Sequence, residues 1–261
     1  MAQDASAWQK EAHTQTRLIA GATLKTPKAA LLRAGIEIRL DPGWKTYWRY
    51  PGDTGIPPTF DFAGSANVTS AAVEWPAPEQ FSDGAGGFSI GYVGDVILPL
   101  DVAQADASRP STLHLNLNYA VCGTLCVPEK ANLELALTGR SADEALLEKA
   151  TRLVPERVAL GDQTKTGLGI RSVQLAAAGR QQRVVIDVIA PPGTPVSLFV
   201  EGPSPDWALP LPHLVGAADG PNRRFTFVLD GVPAGAQAKG AQLTLTAVCS
   251  GHAIEVSARL D

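Results

Sequence analysis

The stretch Leu113-His-Leu-Asn-Leu-Asn-Tyr-Ala-Val-Cys-Gly-Thr-Leu-Cys126 combines a strict apolar and polar alternation with a pair of cysteines. Successive side chains of an extended chain point to opposite faces, so the leucines and Tyr119 share one face. His114, Asn116 and Asn118 share the other face. The alternation predicts a half-buried β-strand that leads directly into the first cysteine.

Cys122 and Cys126 lie four positions apart. On one continuous strand their sulfurs would be about 13 Å apart, whereas a disulfide requires a Cα separation of under about 7 Å. The chain must therefore turn, and Gly123 gives the backbone freedom for a three-residue hairpin turn. Closing a ring of about five residues contributes only about 2 kcal/mol in the chain-entropy model, so a large sandwich would survive reduction of the bond.

Three interpretations of the pair are open at this point: a redox-active disulfide, a structural hairpin disulfide and a metal-binding pair. Zinc or copper would need two more ligands, but His114 lies on the preceding strand and His252 near the other end of the chain. Cys249, in the run Leu-Thr-Leu-Thr-Ala-Val-Cys, is interpreted as a small buried hydrophobic residue. We predict no metal site and no cofactor.

Further short runs of strand character, bounded by Gly, Pro, Asn or Asp, occur on both sides of the hairpin. They predict a first β-sandwich over residues 1–140, a helix and linker over 141–166, and a second, smaller β-sandwich over 167–261. In the helix, Ser141 and Glu144 would form a capping box before Pro155. The predicted strands are 14–20, 30–40, 44–49, 68–75, 93–100, 113–121 and 133–137, then 170–176, 183–190, 196–200, 225–229, 243–249 and 254–260.

The composition excludes several classes of function. A net charge of −4 over 261 residues provides no basic stripe for nucleic acid. No run of about 18 apolar residues is present, so no membrane span or membrane contact is expected. Nucleotide-loop, zinc-protease and hydrolase motifs are absent from the sequence. Because the first residues lack the features of a signal peptide, an exported protein would be represented by its mature form.

Several motifs together resemble the N-terminal periplasmic domain of the thiol:disulfide interchange protein DsbD, and more closely that of its copper-sensitivity relative ScsB. The resemblance covers roughly residues 30–140 and does not extend to a motif in the second domain. The motifs are Gly43-Trp-Lys-Thr-Tyr-Trp-Arg-Tyr-Pro-Gly-Asp-Thr-Gly-Ile-Pro-Pro58, Trp75-Pro-Ala-Pro-Glu-Gln-Phe81, Gly91-Tyr92 with Leu98-Pro99, and Tyr119-x-x-Cys122-x-x-x-Cys126-x-Pro128-Glu129.

The resemblance implies an all-β fold of two immunoglobulin-like sandwiches in tandem, and a periplasmic location. It also implies that the Cys122–Cys126 pair accepts electrons from a thioredoxin-like domain of a membrane reductase and passes them to thioredoxin-fold proteins. Cys126 would form the mixed disulfide with these partners. The cysteines are closer together here than in DsbD-type domains, so the loop geometry does not carry over.

In such domains a mobile cap loop with an aromatic residue shields the cysteines. The matching segment runs from Glu79 to Phe88, with Phe81 as the expected shielding ring and Phe88 as its competitor. Gly84 to Gly87 would give the loop the freedom to open. Four tyrosine and tryptophan residues are expected either to surround the thiols or to fill the core: Tyr47, Trp48, Tyr92 and Tyr119.

No lysine or arginine lies inside the turn, so the sequence predicts no strong lowering of the thiol pKa. The alternative function is a noncatalytic immunoglobulin-like binding or chaperone module in which the disulfide only braces a hairpin. Copper handling by the two cysteines is a more distant alternative.

Overall fold

The computed structural model describes residues 4–25, 30–82, 87–139, 143–178, 181–216 and 219–261. The chain divides into two compact units, Met1–Val154 and Pro155–Asp261. Within the described ranges, no helix has the length and apolar character needed to cross a membrane.

The first unit contains eleven strands and one helix among its described residues. In chain order they are β1 (Gln9–Lys10), β2 (Thr14–Lys25), β3 (Ala30–Leu40), β4 (Lys45–Gly52), β5 (Thr59–Asp61), β6 (Val68–Val73), β7 (Glu79–Ser82), β8 (Phe88–Val93), β9 (Val96–Gln104), β10 (Ser111–Cys122), β11 (Cys126–Leu137) and α1 (Glu144–Thr151).

These strands form two sheets of a sandwich. One sheet has the order β1-β2-β3-β9-β6, and the other has the order β11-β10-β4-β8-β7, with β5 also pairing with β10. The alternation in β10 buries Leu113, Leu115, Leu117 and Tyr119, which are each at most 4% exposed. Because the core takes these residues, the intervening side chains of β10 lie on the outer face of their sheet.

Helix α1 packs on the outer face of the first sheet and belongs to the first unit. Leu147 is fully buried, and a Cβ on Gly21 or Gly35 would lie 2.6 or 2.5 Å from its methyl carbons. The two glycines lie on neighbouring strands and form a slot for the Leu147 side chain, which a side chain at either position would fill.

The start of α1 corrects the predicted capping box. The helix begins at Glu144 with Asp143 at the N-cap position, and Ser141 lies outside the described residues. The Glu144 carboxylate instead accepts hydrogen bonds from the Ala22 backbone N–H and from Arg33, both at 2.6 Å. A residue expected to cap its own helix therefore fastens the helix to the sheet.

The second unit is a smaller sandwich. Its strands are β12 (Glu156–Arg157), β13 (Gly169–Ala178), β14 (Gln181–Ile189), β15 (Val196–Glu201), β16 (His213–Val215), β17 (Asn222–Val228), β18 (Gln242–Cys249) and β19 (His252–Arg259). Two four-stranded sheets, β12-β19-β18-β15 and β13-β14-β17-β16, enclose a core that includes Trp207, Phe225, Phe227 and Leu245. Cys249 is a free, buried thiol that donates to Thr194 Oγ1 at 3.2 Å.

Both units are immunoglobulin-like β-sandwiches, which confirms the predicted all-β fold. Each predicted strand overlaps an observed one, although β2 and β11 are longer than the predicted 14–20 and 133–137, and short strands β1, β5, β7, β8, β12 and β16 are not predicted as separate elements. These unpredicted strands have two to six residues and carry too few alternating positions to stand out from loops.

Candidate functional site

The two cysteines occupy facing positions at the end of a hairpin. Cys122 ends β10, Cys126 begins β11, and the register pairs them directly. The turn Gly123-Thr124-Leu125 is closed by a hydrogen bond from the Gly123 N–H to the Leu125 carbonyl at 3.0 Å. The cysteines form a disulfide with a Cα separation of 4.1 Å, so the predicted three-residue turn and pairing are confirmed.

The two halves of the disulfide differ in exposure. Cys122 is buried, with 2% of its surface exposed, whereas Cys126 is exposed and follows Leu125, which is 75% exposed. A molecule approaching from solvent therefore meets Cys126 first. This asymmetry matters because thiol–disulfide exchange requires access to one particular sulfur.

The disulfide lies on the outer face of its sheet, where a small apolar cluster separate from the sandwich core surrounds it. The cluster consists of Tyr47, Ala120 and Cys122, all at most 5% exposed. Gly55 in the segment after β4 lies against the Tyr47 ring, since a Cβ there would be 2.8 Å from Tyr47 Cδ1. The Pro-Gly-Asp-Thr-Gly segment thus covers the tyrosine that lies beside the sulfurs.

Tyr47 contacts both sulfur atoms through its hydroxyl group. The oxygen lies 2.9 Å from Cys122 Sγ and 3.3 Å from Cys126 Sγ. Burial raises the pKa of the Tyr47 phenol above its usual value of 10.0, so the hydroxyl stays protonated and can donate. Of the four aromatic residues expected near the thiols, this one is in direct contact with them.

The other three aromatic residues lie on the opposite face of the sheet, towards the sandwich core. Trp48 is fully buried, and Tyr92 donates a hydrogen bond to the Pro76 carbonyl at 2.8 Å. The Tyr119 hydroxyl lies 2.9 Å from Thr16 Oγ1 on the facing sheet. Burial raises the pKa of both tyrosines, and most strongly that of Tyr92.

Lys45 lies next to the cysteines, although sequence analysis did not select it. The register of β4 and β10 places Lys45 directly opposite Cys122, and directly paired residues of a sheet share a face. Its ammonium lies 5.3 Å from the centre of the Phe81 ring. In the sequence, Lys45 and Tyr47 are two positions apart, which puts them on one face of a strand. That this face is the one with the cysteines follows only from the pairing of β4 with β10.

The segment predicted as the cap loop is largely a hairpin. Glu79–Ser82 form β7 and Phe88 begins β8, while residues 83–86, including Gly84, lie outside the described residues. Glu79 pairs with Gly91, which in turn pairs with Tyr47, so the Glu79 side chain shares the face of the disulfide. Phe81, two positions further along β7, lies on the same face. Phe88 points to the other face by the same alternation.

The turn of the hairpin rests on an aromatic stack. A Cβ on Gly123 would lie 3.0 Å from the Trp44 indole, and the indole stacks on the His13 ring at a centroid distance of 3.7 Å. Asp41 Oδ2 lies 3.1 Å from His13 Nδ1. Gly123 therefore allows the close approach of the indole, whereas its φ is not in the positive range in which the turn itself would favour glycine.

Among the described residues, no group of three His, Cys, Asp or Glu side chains is arranged to hold a metal ion. The chemistry that this arrangement supports is that of the disulfide itself: a bond with one accessible sulfur, one buried sulfur and a phenol that can donate to the buried one.

Comparison with known proteins gives two findings. Residues 17–138 match the sequence profile of the family described as thiol:disulfide interchange protein DsbD, N-terminal. The crystal structure of the N-terminal periplasmic domain of ScsB from Proteus mirabilis is similar in fold, with a TM-score of 0.73 and 22% sequence identity over 98% of each chain. Comparison with curated protein sequences yields no significant match.

Proposed function

Since the first unit of this chain is a domain of the DsbD N-terminal family, we propose that it carries electrons between thioredoxin-fold proteins by thiol–disulfide exchange at Cys122 and Cys126. The observation that supports this most strongly is the disulfide on the outer face of a sheet, with one cysteine exposed and one buried. A disulfide that only braced a hairpin would need neither the accessible sulfur nor the phenol beside it.

The exchange proceeds through a mixed disulfide at Cys126. A partner thiolate attacks Cys126 Sγ, the new sulfur–sulfur bond forms to the partner, and the electron pair of the broken bond leaves with Cys122 Sγ as a thiolate. The Tyr47 hydroxyl, 2.9 Å from that sulfur, donates to the developing charge. A second partner thiol then resolves the mixed disulfide, or Cys122 attacks Cys126 and reverses the step.

We place the domain in the periplasm, as the periplasmic domain of ScsB from Proteus mirabilis suggests. The electron donor is the thioredoxin-like domain of a membrane reductase, and the acceptors are periplasmic thioredoxin-fold proteins. Electrons therefore enter by reduction of the Cys122–Cys126 bond and leave when the reduced pair attacks an acceptor disulfide.

Two single substitutions test the proposal with the full chain. Cys126→Ser removes the accessible sulfur, so turnover with a reduced thioredoxin as donor and an oxidised thioredoxin-fold protein as acceptor should be abolished. Cys122→Ser leaves the Cys126 thiol free. It should accumulate a mixed disulfide with a thioredoxin that lacks its second active-site cysteine and whose first is activated as a disulfide with thionitrobenzoate, because the Cys126 thiolate attacks that disulfide and thionitrobenzoate leaves. The products are measured on non-reducing gels and by mass spectrometry.

Cys249→Ser is the matched control, because it removes the buried thiol of the second unit. Alone it should leave the turnover unchanged, and combined with Cys122→Ser it should leave the mixed disulfide unchanged. Circular dichroism should show all variants folded. Turnover that persists in Cys126→Ser would reject the assignment. A wild-type disulfide that no thioredoxin reduces would favour the noncatalytic binding module instead.

A further inference from the structure

Trp44 lies directly against the turn that joins the two cysteines. Three carbons of the six-membered ring of its indole, Cε2, Cδ2 and Cζ2, lie 3.0, 3.2 and 3.2 Å from the position that a Cβ on Gly123 would occupy. Contacts this short leave no room for a side chain between the turn and the ring. The backbone of the turn therefore rests on the indole.

Trp44 is held in place by parts of the chain outside this hairpin. Its N–H donates a hydrogen bond to the Asp41 carbonyl at 3.0 Å, and its carbonyl accepts one from the Gly94 N–H at 3.4 Å. The His13 ring stacks on the indole with an angle of 14° between the ring planes, and Asp41 Oδ2 lies 3.1 Å from His13 Nδ1. None of these contacts involves β10 or β11, so none depends on the disulfide.

The turn itself lies at the open end of a strand pair. Cys122 and Cys126 are the last pair in the register of β10 and β11, and all three residues between them are exposed. A hydrogen bond from the Gly123 N–H to the Leu125 carbonyl closes the turn at 3.0 Å. Because the end of a strand pair opens more readily than its middle, the contact with Trp44 restrains the hairpin at its weakest point.

We propose that Trp44 is a positioning residue, which holds the turn so that Cys122 and Cys126 stay face to face while they are not bonded to each other. This inference rests on the proposed function and concerns the step that closes the disulfide again. In that step the Cys122 thiolate attacks Cys126 Sγ of a mixed disulfide and the Cys122–Cys126 bond forms. The electron pair of the broken bond leaves with the partner sulfur as a thiolate.

The closing step depends on how often the two sulfurs meet in the right orientation. A turn held in the geometry of the bonded state keeps the attacking and the attacked sulfur close together, which raises their effective concentration. A turn that swings away from the indole lowers it. The wall formed by Trp44 therefore favours the closed disulfide and speeds release of the partner.

The closing step can be measured in the full chain without a partner protein. Cys249→Ser is included in every protein compared, so that Cys122 and Cys126 are the remaining cysteines of the three. The reduced protein is mixed with dithiobis(nitrobenzoate), whose disulfide the exposed Cys126 thiolate attacks, releasing one thionitrobenzoate. Cys122 then attacks Cys126 Sγ and releases a second one. The first rate depends on the reagent concentration and the second does not, so stopped-flow absorbance separates the two.

Trp44→Leu keeps apolar bulk but removes the flat ring. We expect it to slow the second release about three- to tenfold, the factor that one aromatic contact supports, and to leave the first release unchanged. Trp44→Phe keeps a flat ring and should stay within about twofold of the wild-type rate. Gly123→Ala places a Cβ 3.0 Å from the indole and should also slow the second release.

The reduction potential gives a second readout that a loss of stability alone would not move. A tenfold drop in effective concentration makes the disulfide less favourable and raises its reduction potential by about 30 mV. Equilibration of Trp44→Leu against glutathione, with thiol trapping, should therefore show a higher potential than wild type. Trp44→Phe should show nearly the wild-type potential.

Trp8→Leu is the matched control, because it removes an indole of the same size that contacts the guanidinium groups of Arg17 and Arg39. It should leave both releases and the potential unchanged, even if it lowers the melting temperature. A second release as fast in Trp44→Leu as in wild type, or both releases slowed equally, would overturn the proposal. Failure of wild type to exchange with thioredoxins would instead reject the proposed function, while the closing rate would still be measured.

Discussion

At the scale of single residues, the Tyr47 hydroxyl is the group in closest contact with the disulfide. It lies within hydrogen-bond distance of both sulfurs and is buried against Gly55. Since the departing sulfur becomes a thiolate in a site where Cys122 is 2% exposed, water cannot replace the phenol as its donor. In the proposed exchange the tyrosine therefore acts on the leaving group and not on the attacking thiolate.

Tyr47→Phe should slow reduction of the disulfide by thioredoxin while the fold persists. A hydrogen bond to a charged group contributes about 1.5 kcal/mol, so we expect a decrease of about tenfold in the second-order rate constant. Burial raises the pKa of the phenol, so the hydroxyl is protonated throughout the range from about pH 6 to pH 9 and the decrease should be constant across it. Stopped-flow fluorescence measures the rate.

Tyr119→Phe is the control for that substitution, because its hydroxyl contacts Thr16 on the core side of the sheet. It should change the melting temperature and not the exchange rate. If thioredoxin reduces Tyr47→Phe as fast as wild type, the phenol contacts the sulfurs without assisting the departure of the Cys122 thiolate.

The sequence was sufficient to predict the turn between the two cysteines, because one continuous strand would hold their sulfurs about 13 Å apart. It was not sufficient to separate Tyr47 from Trp48, Tyr92 and Tyr119. Their roles depend on which face of which strand each side chain occupies, and Lys45 was missed for the same reason. These assignments need the pairing of β4 with β10 and β8, which is a property of the fold and not of local pattern.

At the scale of elements, α1 packs on the first sheet through the buried Leu147, and Arg33 of β3 donates hydrogen bonds to Glu144 and Thr151 of the helix. Leu147→Ala should lower the free energy of unfolding by about 2–4 kcal/mol, because Leu147 is fully buried against Gly21 and Gly35 and its truncation leaves a cavity there. Leu146→Ala is the matched control, since Leu146 is 39% exposed, and should change stability by less than about 0.5 kcal/mol. Urea denaturation of both variants measures the difference.

A second prediction at this scale concerns pH and the second unit. Asp187 on β14 accepts two hydrogen bonds from Arg224 on β17, at 2.8 and 3.2 Å, and these hold the pKa of its carboxyl below the usual value. The Asp187 carboxyl therefore binds a proton more readily in the unfolded state than in the folded state. Its contribution to stability is full above the ordinary aspartate pKa and is lost as the pH falls through the lower pKa of the folded state. Asp187→Asn should remove this dependence.

Calorimetry between about pH 5 and pH 2 should show a steeper loss of stability in wild type than in Asp187→Asn. Asp206→Asn, which removes an exposed aspartate with no ion pair among the described residues, should keep the wild-type slope. Equal slopes in wild type and Asp187→Asn would contradict the linkage.

Among elements, the long strands were predictable and the short ones were not. Strand β3 was predicted with both ends correct because eleven residues of apolar character stand between clear breaks. The segment from Glu79 to Phe88 is predicted as a loop, because Pro76, Pro78 and the glycine run from Gly84 are typical of turns, whereas the structure has β7 and the first residue of β8 there. Glu144 was expected to cap α1, but its tie to Arg33 is a long-range contact that no local motif contains.

At the scale of the whole molecule, two sandwiches follow each other in one chain, and the Cys122–Cys126 disulfide lies on the first. Each sandwich has a core of its own. The Cys122–Cys126 disulfide closes only five residues at the tip of one hairpin, so we expect both units to stay folded when it is reduced. This allows the chain to remain folded in both the oxidised and the reduced state, as an electron carrier requires.

The reduction potential of the Cys122–Cys126 pair in the full chain tests this account most directly, by equilibration against glutathione or thioredoxin with thiol trapping and mass spectrometry. We expect a potential in the exchange range of thioredoxin-fold proteins, between about −180 and −270 mV, with the circular dichroism spectrum retained after reduction. A potential below about −300 mV, or loss of the fold on reduction, would identify a structural bond and contradict the role of electron carrier.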